Sequence, residues 1–304
     1  MERTKIQTLY DACNAILCAQ QGELPSFQQI HFLKNLLSSI EAVDVGIDEF
    51  GDGSPSSSPG SGKELIIGQM IDKITYIHIH ECDNFSVGDL CVYICIYIYI
   101  YIFLLYVNAF SYRMVLLCWW WQIGVFCFPA GATFPLHDHP GMTVLSKLLY
   151  GSAYVKAYDW VKLDASSHPM IGLAGKVIDG VMDSPSEPTV LFPRSGGNIH
   201  TFTAVTPCAI MDILTPPYSD NLGRPSTYFL DYSIPSLPGK PSLSRTIMWT
   251  VNVAMYGSFD RGGWIMWAGY SVLEERDMPG DLVVVGAPYL GQPIFTENDP
   301  CLLG

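Results

Sequence analysis

The sequence predicts a mainly β protein, a β-barrel preceded by an N-terminal pair of helices. Three observations predict it. Apolar residues recur at helical spacing near the start of the chain. From about residue 74 onward, short stretches alternate apolar and polar residues, with Gly or Pro between many of them, as a barrel or sandwich requires. Within that region His137 and His139 stand at i and i+2, a spacing that puts both side chains on one face of a strand.

The elements follow in order. Residues 4–19 carry apolar positions at Ile6, Leu9, Tyr10, Cys13, Ile16 and Leu17. Residues 26–41 repeat the pattern through Ile30, Phe32, Leu33, Leu36, Leu37 and Ile40, with Pro25 and Ser26 near the start. Residues 1–50 are therefore read as helices that pack on the barrel. Residues 51–63, rich in Gly, Ser and Pro, read as a flexible loop. The barrel domain takes 64–304. Its strand patterns lie at 74–82, 123–128, 143–150, 152–160, 189–193, 199–205, 208–214 and 227–232.

One stretch does not fit a barrel. From Leu90 to Val107 the chain is almost wholly apolar and uncharged, long enough to span a bilayer. Its content argues otherwise. The near-perfect Ile-Tyr alternation from Ile94 to Ile102 is what an AT dinucleotide repeat would encode. Removing residues 87–122 joins Glu81-Cys-Asp-Asn-Phe-Ser86 to Ile123-Gly-Val-Phe-Cys-Phe-Pro129 as one strand–turn–strand passage. The segment therefore reads as a retained intron or gene-model error, not a membrane anchor. Residues 236–263, without clear periodicity, read as a second non-native insertion.

Composition narrows the function. A formal charge of -13 argues against direct binding to nucleic acid or anionic lipid. The nine Cys are scattered, with no CxxC pair, which reads as reduced thiols in an intracellular protein. The first residues lack the basic-then-apolar layout of a signal peptide. No interface pattern stands out, so a monomer is expected.

The chemistry concentrates in Gly131-Ala-Thr-Phe-Pro-Leu-His137-Asp-His139-Pro-Gly-Met-Thr143-Val144. A Gly, then His-x-His, then a later Gly at this spacing resembles the first motif of the cupin barrels (the double-stranded β-helix). Most of those place a Glu four or five residues after the second His. Here Thr143 and Val144 stand there, so no carboxylate is offered. Phe192-Pro-Arg-Ser-Gly-Gly-Asn-Ile-His200 approximates the second cupin motif and supplies a third imidazole. His137, His139 and His200 can then cap one face of an octahedron. Imidazole suits Fe, Zn, Cu and Ni alike, so the ligand set alone leaves the metal open. His78-Ile-His80 lacks the flanking glycines and reads as an ordinary strand face; His31 and His168 read as surface residues. Asp212, inside an apolar strand, is costly unless bonded. It orients a ligand imidazole, contacts substrate, or is a strand-edge acceptor. Tyr218, after Pro216-Pro217, sits at a strand exit where a barrel mouth lies, unless it is core.

Several passages together resemble the plant cysteine oxidases, relatives of animal 2-aminoethanethiol dioxygenase. They are Ile74-Thr-Tyr-Ile-His-Ile-His-Glu-Cys-Asp-Asn-Phe-Ser86, Pro135-Leu-His-Asp-His-Pro-Gly-Met-Thr143, Lys156-Ala-Tyr-Asp-Trp160, Gly197-Asn-Ile-His200, Asp212-Ile-Leu-Thr-Pro-Pro-Tyr218 and Asp281-Leu-Val-Val-Val-Gly-Ala-Pro-Tyr289. The resemblance covers about 5–86, 123–235 and 264–295. It implies a non-haem Fe(II) dioxygenase that adds both atoms of O2 to the N-terminal Cys of a protein, giving cysteine sulfinic acid. It implies group VII ethylene-response transcription factors as targets, an oxygen-sensing N-degron pathway in the hypoxia response, and a place in cytoplasm and nucleus. By position, His137, His139 and His200 match the iron ligands, and Asp212 and Tyr218 match residues near the iron. One departure concerns Arg224-Pro-Ser226-Thr-Tyr228. Relatives often carry Cys at the place of Ser226, so a Cys–Tyr crosslink there is impossible.

Three other readings stay open. One is a dioxygenase of small thiols, cysteamine or free cysteine. Another is an inactive product of an aberrantly spliced transcript. The third is a zinc cupin hydrolase or isomerase.

Overall fold

A computed structural model of the chain describes residues 3–18, 25–48, 66–67, 72–81, 121–161, 171–233 and 269–295. The loop expected at 51–63, the segment 236–263, His168 and residues 87–120 lie outside them.

Both predicted helices occur. Helix α1 (Lys5–Cys13) starts at Thr4, whose hydroxyl accepts from the Gln7 N–H, and continues as a π turn over Asn14–Cys18. Helix α2 (Phe27–Ser38) opens on a reciprocal capping box: Ser26 accepts from Gln29 N–H, and the Gln29 side chain accepts from Ser26 N–H. It ends before the predicted residue 41. There the buried Lys147 Nζ donates to the carbonyls of Ser38 and Ile40, which the helix end leaves without intrahelical partners. His31, exposed on α2, shares a hydrogen bond with Asn35 one turn on.

The strands are β1 (Ile47–Asp48), β2 (Ile66–Ile67), β3 (Ile74–Glu81), β4 (Gln122–Phe128), β5 (Thr133–His137), β6 (Thr143–Tyr150), β7 (Ser152–Trp160), β8 (Ile171–Asp183), β9 (Thr189–Leu191), β10 (Ile199–Ala204), β11 (Cys208–Thr215), β12 (Tyr228–Ser233), β13 (Tyr270–Arg276) and β14 (Val284–Ala287). Every strand predicted from sequence is present, with ends within two residues. Strands β1, β2, β5, β8, β13 and β14 were not predicted. Pro135 masks β5, and Gly172, Gly175 and Gly180 dilute the pattern of β8.

Six strands, β10-β5-β12-β13-β8-β7, close into a barrel, and β14-β3-β4-β11-β6-β9 form a six-stranded sheet. The fold is mainly β, as expected. Strand alternation sorts the side chains of the sheet into two layers. Ile77, Ile123, Val125, Leu145, Met211 and Ile213 form one core with Ile6, Leu9, Leu33 and Leu37 of the helices. On the other face Phe128, Leu148 and Ile210 meet Ala153 and Ala204 of the barrel. Leu136, Tyr158, Ile199, Phe229 and Leu273 make a third cluster among the barrel strands.

The anomalous segment enters and leaves at one point. Glu81 and Gln122 are direct cross-strand partners at the end of the β3–β4 hairpin. The last two residues assigned to the insertion belong to the fold: Gln122 opens β4, and Trp121 is fully buried against Tyr10 and His80, at ring separations of 5.5 and 5.1 Å. Excising residues 87–120 is therefore expected to leave the hairpin closed. Shortening the connection lowers its closure cost by about 1.5–2 kcal/mol on a logarithmic loop-length rule. A thermal melt at or above that of the full chain, with more soluble protein, is the expected result; loss of cooperative unfolding would show that the segment belongs to the core. Among the described residues no helix is long and apolar enough to cross a membrane.

Candidate functional site

The site lies between the six-stranded sheet and the outer face of strands β5, β10 and β12. His137 closes β5. His139 lies just past it, in the turn through Pro140 and Gly141, so the two histidines do not share a strand as the spacing suggested. The strand stops because Asp138 turns to β12: its N–H donates to Thr227 O, and its carboxylate accepts from Thr227 N–H at 2.8 Å. His200, the second residue of β10, is the cross-strand partner of His137.

The three imidazoles converge regardless. Their candidate donor atoms all lie within 4.8 Å of one another, and the rings are buried, with centroids 4.7–4.9 Å apart. Each Nδ1 is tied to a backbone carbonyl: His137 to Pro135 at 2.8 Å, His139 to Asn198 at 3.2 Å, His200 to Gly197 at 3.3 Å. A carbonyl can only accept, so each Nδ1 carries the proton and each Nε2 keeps its lone pair. Burial lowers His137 to about 4 and His200 to about 3, and holds His139 well below its ordinary value, helped by the two neighbouring rings. Three neutral nitrogen donors with fixed tautomers fit a transition-metal dication. Among the described residues no carboxylate or thiol joins them, as Thr143 and Val144 foretold.

Two residues that hold this geometry went unrecognised in the sequence. The Asn198 amide donates to the carbonyls of His139 and Phe192, both at 2.9 Å, and its oxygen accepts from the His139 N–H at 3.1 Å. Asp159 in turn accepts from the N–H groups of Gly197 and Asn198 at 2.9 and 3.0 Å. Gly197 has φ 86°, and a Cβ there would lie 2.7 Å from the Cβ of Ala157. The Gly-Gly-Asn run before His200 was the available signal. Asn198→Ala is expected to weaken metal binding about 10–100-fold, as loss of a ligand's outer partner does. Metal titration of the purified variant measures it, and unchanged affinity would rule the clamp out.

A cavity of about 310 Å³ opens onto the three rings. Phe126, Phe134 and Phe202 line its apolar part, and Gln122, Asp212, Tyr218, Ser226 and Tyr228 its polar part. Asp212 accepts from the hydroxyl of Ser146, its direct partner across β11–β6. That bond goes to a hydroxyl, not an imidazole. Burial pushes the carboxyl up to about 6 against the opposing pull of this bond. The Tyr218 hydroxyl donates to Asp138 O at 2.7 Å, fixing the turn between the two histidines from the cavity side. Ser226 brings a buried hydroxyl to the cavity wall.

The other His-x-His pair is elsewhere. His78 is exposed, and a bulge turns His80 into the aromatic cluster with Tyr10 and Trp121.

Known proteins give the geometry its family. The PCO_ADO profile matches residues 107–294, starting inside the 87–122 segment. Plant cysteine oxidase 1 of Arabidopsis thaliana is 32% identical over 294 residues, covering 96% of this chain and 80% of that one. The 2-aminoethanethiol dioxygenase of Mus musculus is 27% identical over 69% of this chain and 71% of its own length. A double-stranded β-helix protein from Klebsiella pneumoniae aligns over 32% of this chain and 63% of its own, at 13% identity and a TM-score of 0.23. With a profile across more than half its length and 96% of it aligned to a plant cysteine oxidase at 32% identity, this chain belongs to the PCO_ADO family of thiol dioxygenases.

Proposed function

We propose that this protein is an Fe(II)-dependent dioxygenase that converts the N-terminal Cys of target proteins to cysteine sulfinic acid with O2. The observation that carries the reading is the donor set: three neutral imidazoles without a carboxylate, facing a cavity. Such a centre keeps its full positive charge and favours a thiolate ligand. The iron supplies the activation of O2. Both oxygen atoms end on sulfur, R–SH + O2 giving R–SO2H, so no external reductant is needed.

The chain's own residues do the rest. Phe126, Phe134 and Phe202 exclude water beside the rings. The Asp212 carboxylate is placed to accept a hydrogen bond from the substrate's α-ammonium, with Ser146 holding its orientation. Tyr218 keeps the His137–His139 turn in place through Asp138.

By resemblance the targets are group VII ethylene-response transcription factors, and the product feeds an oxygen-sensing N-degron pathway in cytoplasm and nucleus. A monomer suffices for this chemistry. Relatives named for 2-aminoethanethiol favour a second reading, a small-thiol dioxygenase. An inactive aberrant product is disfavoured, because Glu81 and Gln122 still pair at the end of one hairpin and the ligand set is intact.

The test is mass spectrometry of a Cys-initiated peptide after aerobic incubation with the Fe(II)-loaded protein, with cysteamine in parallel. A gain of two oxygens on the peptide is expected. Oxidation of cysteamine alone would select the small-thiol reading, and no oxidation by iron-loaded protein would reject both.

A further inference from the structure

Behind His200 a second, smaller cavity of about 30 Å³ lies in the fold. Its apolar walls include Leu148, Ala153, Val155, Ala157 and Met182. It shares His200, Phe202 and Ile210 with the larger cavity, so these side chains form the partition between the two.

The space is large enough for a water, which needs about 10–15 Å³. Its walls offer few of the two to four polar partners a buried water needs, the Thr189 hydroxyl at the exposed rim aside. The Ser146 hydroxyl at the wall donates to Asp212. The Gly197 N–H donates to Asp159, and His200 Nδ1 is bonded to Gly197 O. The volume is kept by small residues: Ala153 and Ala157 on one face of β7, and Gly196 and Gly197 at positive φ. A Cβ on Gly197 would press into Ala157. A mostly apolar pocket of this size, with Thr189 and Gly196 exposed at its rim, suits a small apolar molecule arriving from solvent.

We propose that this cavity is a dioxygen pocket, which holds O2 against the far side of His200 while the thiol substrate enters through the larger cavity. The two co-substrates then reach the three-His centre from different sides, and a seated peptide does not block the gas. The proposal rests on the thiol dioxygenase reading, and its test separates the two.

Crystals of the wild-type protein pressurised with xenon are expected to show the gas beside Val155 and Ile210. Absence of xenon there overturns the pocket, whatever the enzyme's activity. Val155→Leu and Ala153→Val, which fill the space by small steps, are expected to remove the xenon. They are expected to raise KM for O2 severalfold while KM for a Cys-initiated peptide and bound iron stay unchanged. Leu148→Ala, which widens the pocket, is expected to increase xenon occupancy without raising KM for O2. Filled variants with unaltered KM for O2, or with peptide KM and iron content changed in step, would mean that the cavity is only packing around His200. Xenon in the pocket of a protein that oxidises no thiol would keep the gas site and reject the dioxygenase reading.

Discussion

His200→Ala is expected to abolish iron binding while the barrel still folds. The two remaining imidazoles come from the end of β5 and the turn that follows it, and among the described residues no other donor lies near enough to replace the third. Removing an outer partner of a ligand already costs about 10–100-fold in metal affinity, and removing the ligand costs more. Oxygen uptake with a Cys-initiated peptide should fall to background. The fold should survive, because β10 is held by backbone pairing to both β5 and β7. Loss of the ring opens a void toward both cavities, which costs about 2–5 kcal/mol as a large-to-small core change. The decisive readout is thermal denaturation with and without Fe(II). A ligand that binds only the folded state raises the melting temperature by mass action. Wild type should show that rise and His200→Ala should not. His80→Ala is the control, since His80 packs with Tyr10 and Trp121 and should leave the iron-dependent rise intact. A rise retained in His200→Ala would remove it from the metal site.

The contrast between the two His-x-His pairs shows what the sequence made legible. His137 and His139 were separated from His78 and His80 by the flanking glycines and the Pro-Gly turn, and the structure groups them accordingly. The reason first given for their convergence was incomplete. Alternation along a strand puts i and i+2 on one face, yet β5 ends at His137, and His139 is set by Asn198 and by the turn that Asp138 anchors. Those contacts reach across 59 and 89 positions of the chain. Local periodicity has no access to them. The same holds for Asp159, whose carboxylate serves two N–H groups of a distant turn. Strand β5 went unread because Pro135 breaks the pattern, although the Pro135 carbonyl is what fixes the His137 tautomer. Asp212 was legible as an anomaly, a carboxylate in an apolar strand, but its partner Ser146 needed the β11–β6 register.

Asp212→Asn is expected to stabilise the metal-free protein at neutral pH and to impair the loaded enzyme. Burial raises this carboxyl from its ordinary 3.8 to about 6 in the fold. A group whose folded value is raised contributes stability below its unfolded value and loses it as pH rises through the folded one. Above pH 6 the fold therefore carries a charge that it desolvates, worth at most roughly 3 kcal/mol by linkage. Asn can accept the Ser146 hydrogen bond without that charge. The three histidines act in the opposite sense. Their folded values are depressed, so their contribution is present above 6.5 and lost as pH falls toward 4 and 3. In wild type the acid loss from the histidines is partly offset, between about pH 6 and 4, by the gain as Asp212 takes its proton. The variant lacks that offset. Its stability advantage should be largest above pH 6 and vanish near pH 4, giving a steeper acid limb. In the loaded enzyme the same change removes the charged acceptor for the substrate's ammonium group. A hydrogen bond to a charged group is worth about 1.5–3 kcal/mol, so kcat/KM for a Cys-initiated peptide should fall roughly 10–100-fold. Urea unfolding of both proteins from pH 4 to 8, with peptide turnover at pH 7, reads out each half. An advantage that does not vary with pH would show that the gain comes from packing and not from the carboxylate's charge. Full turnover would place the substrate's amine elsewhere.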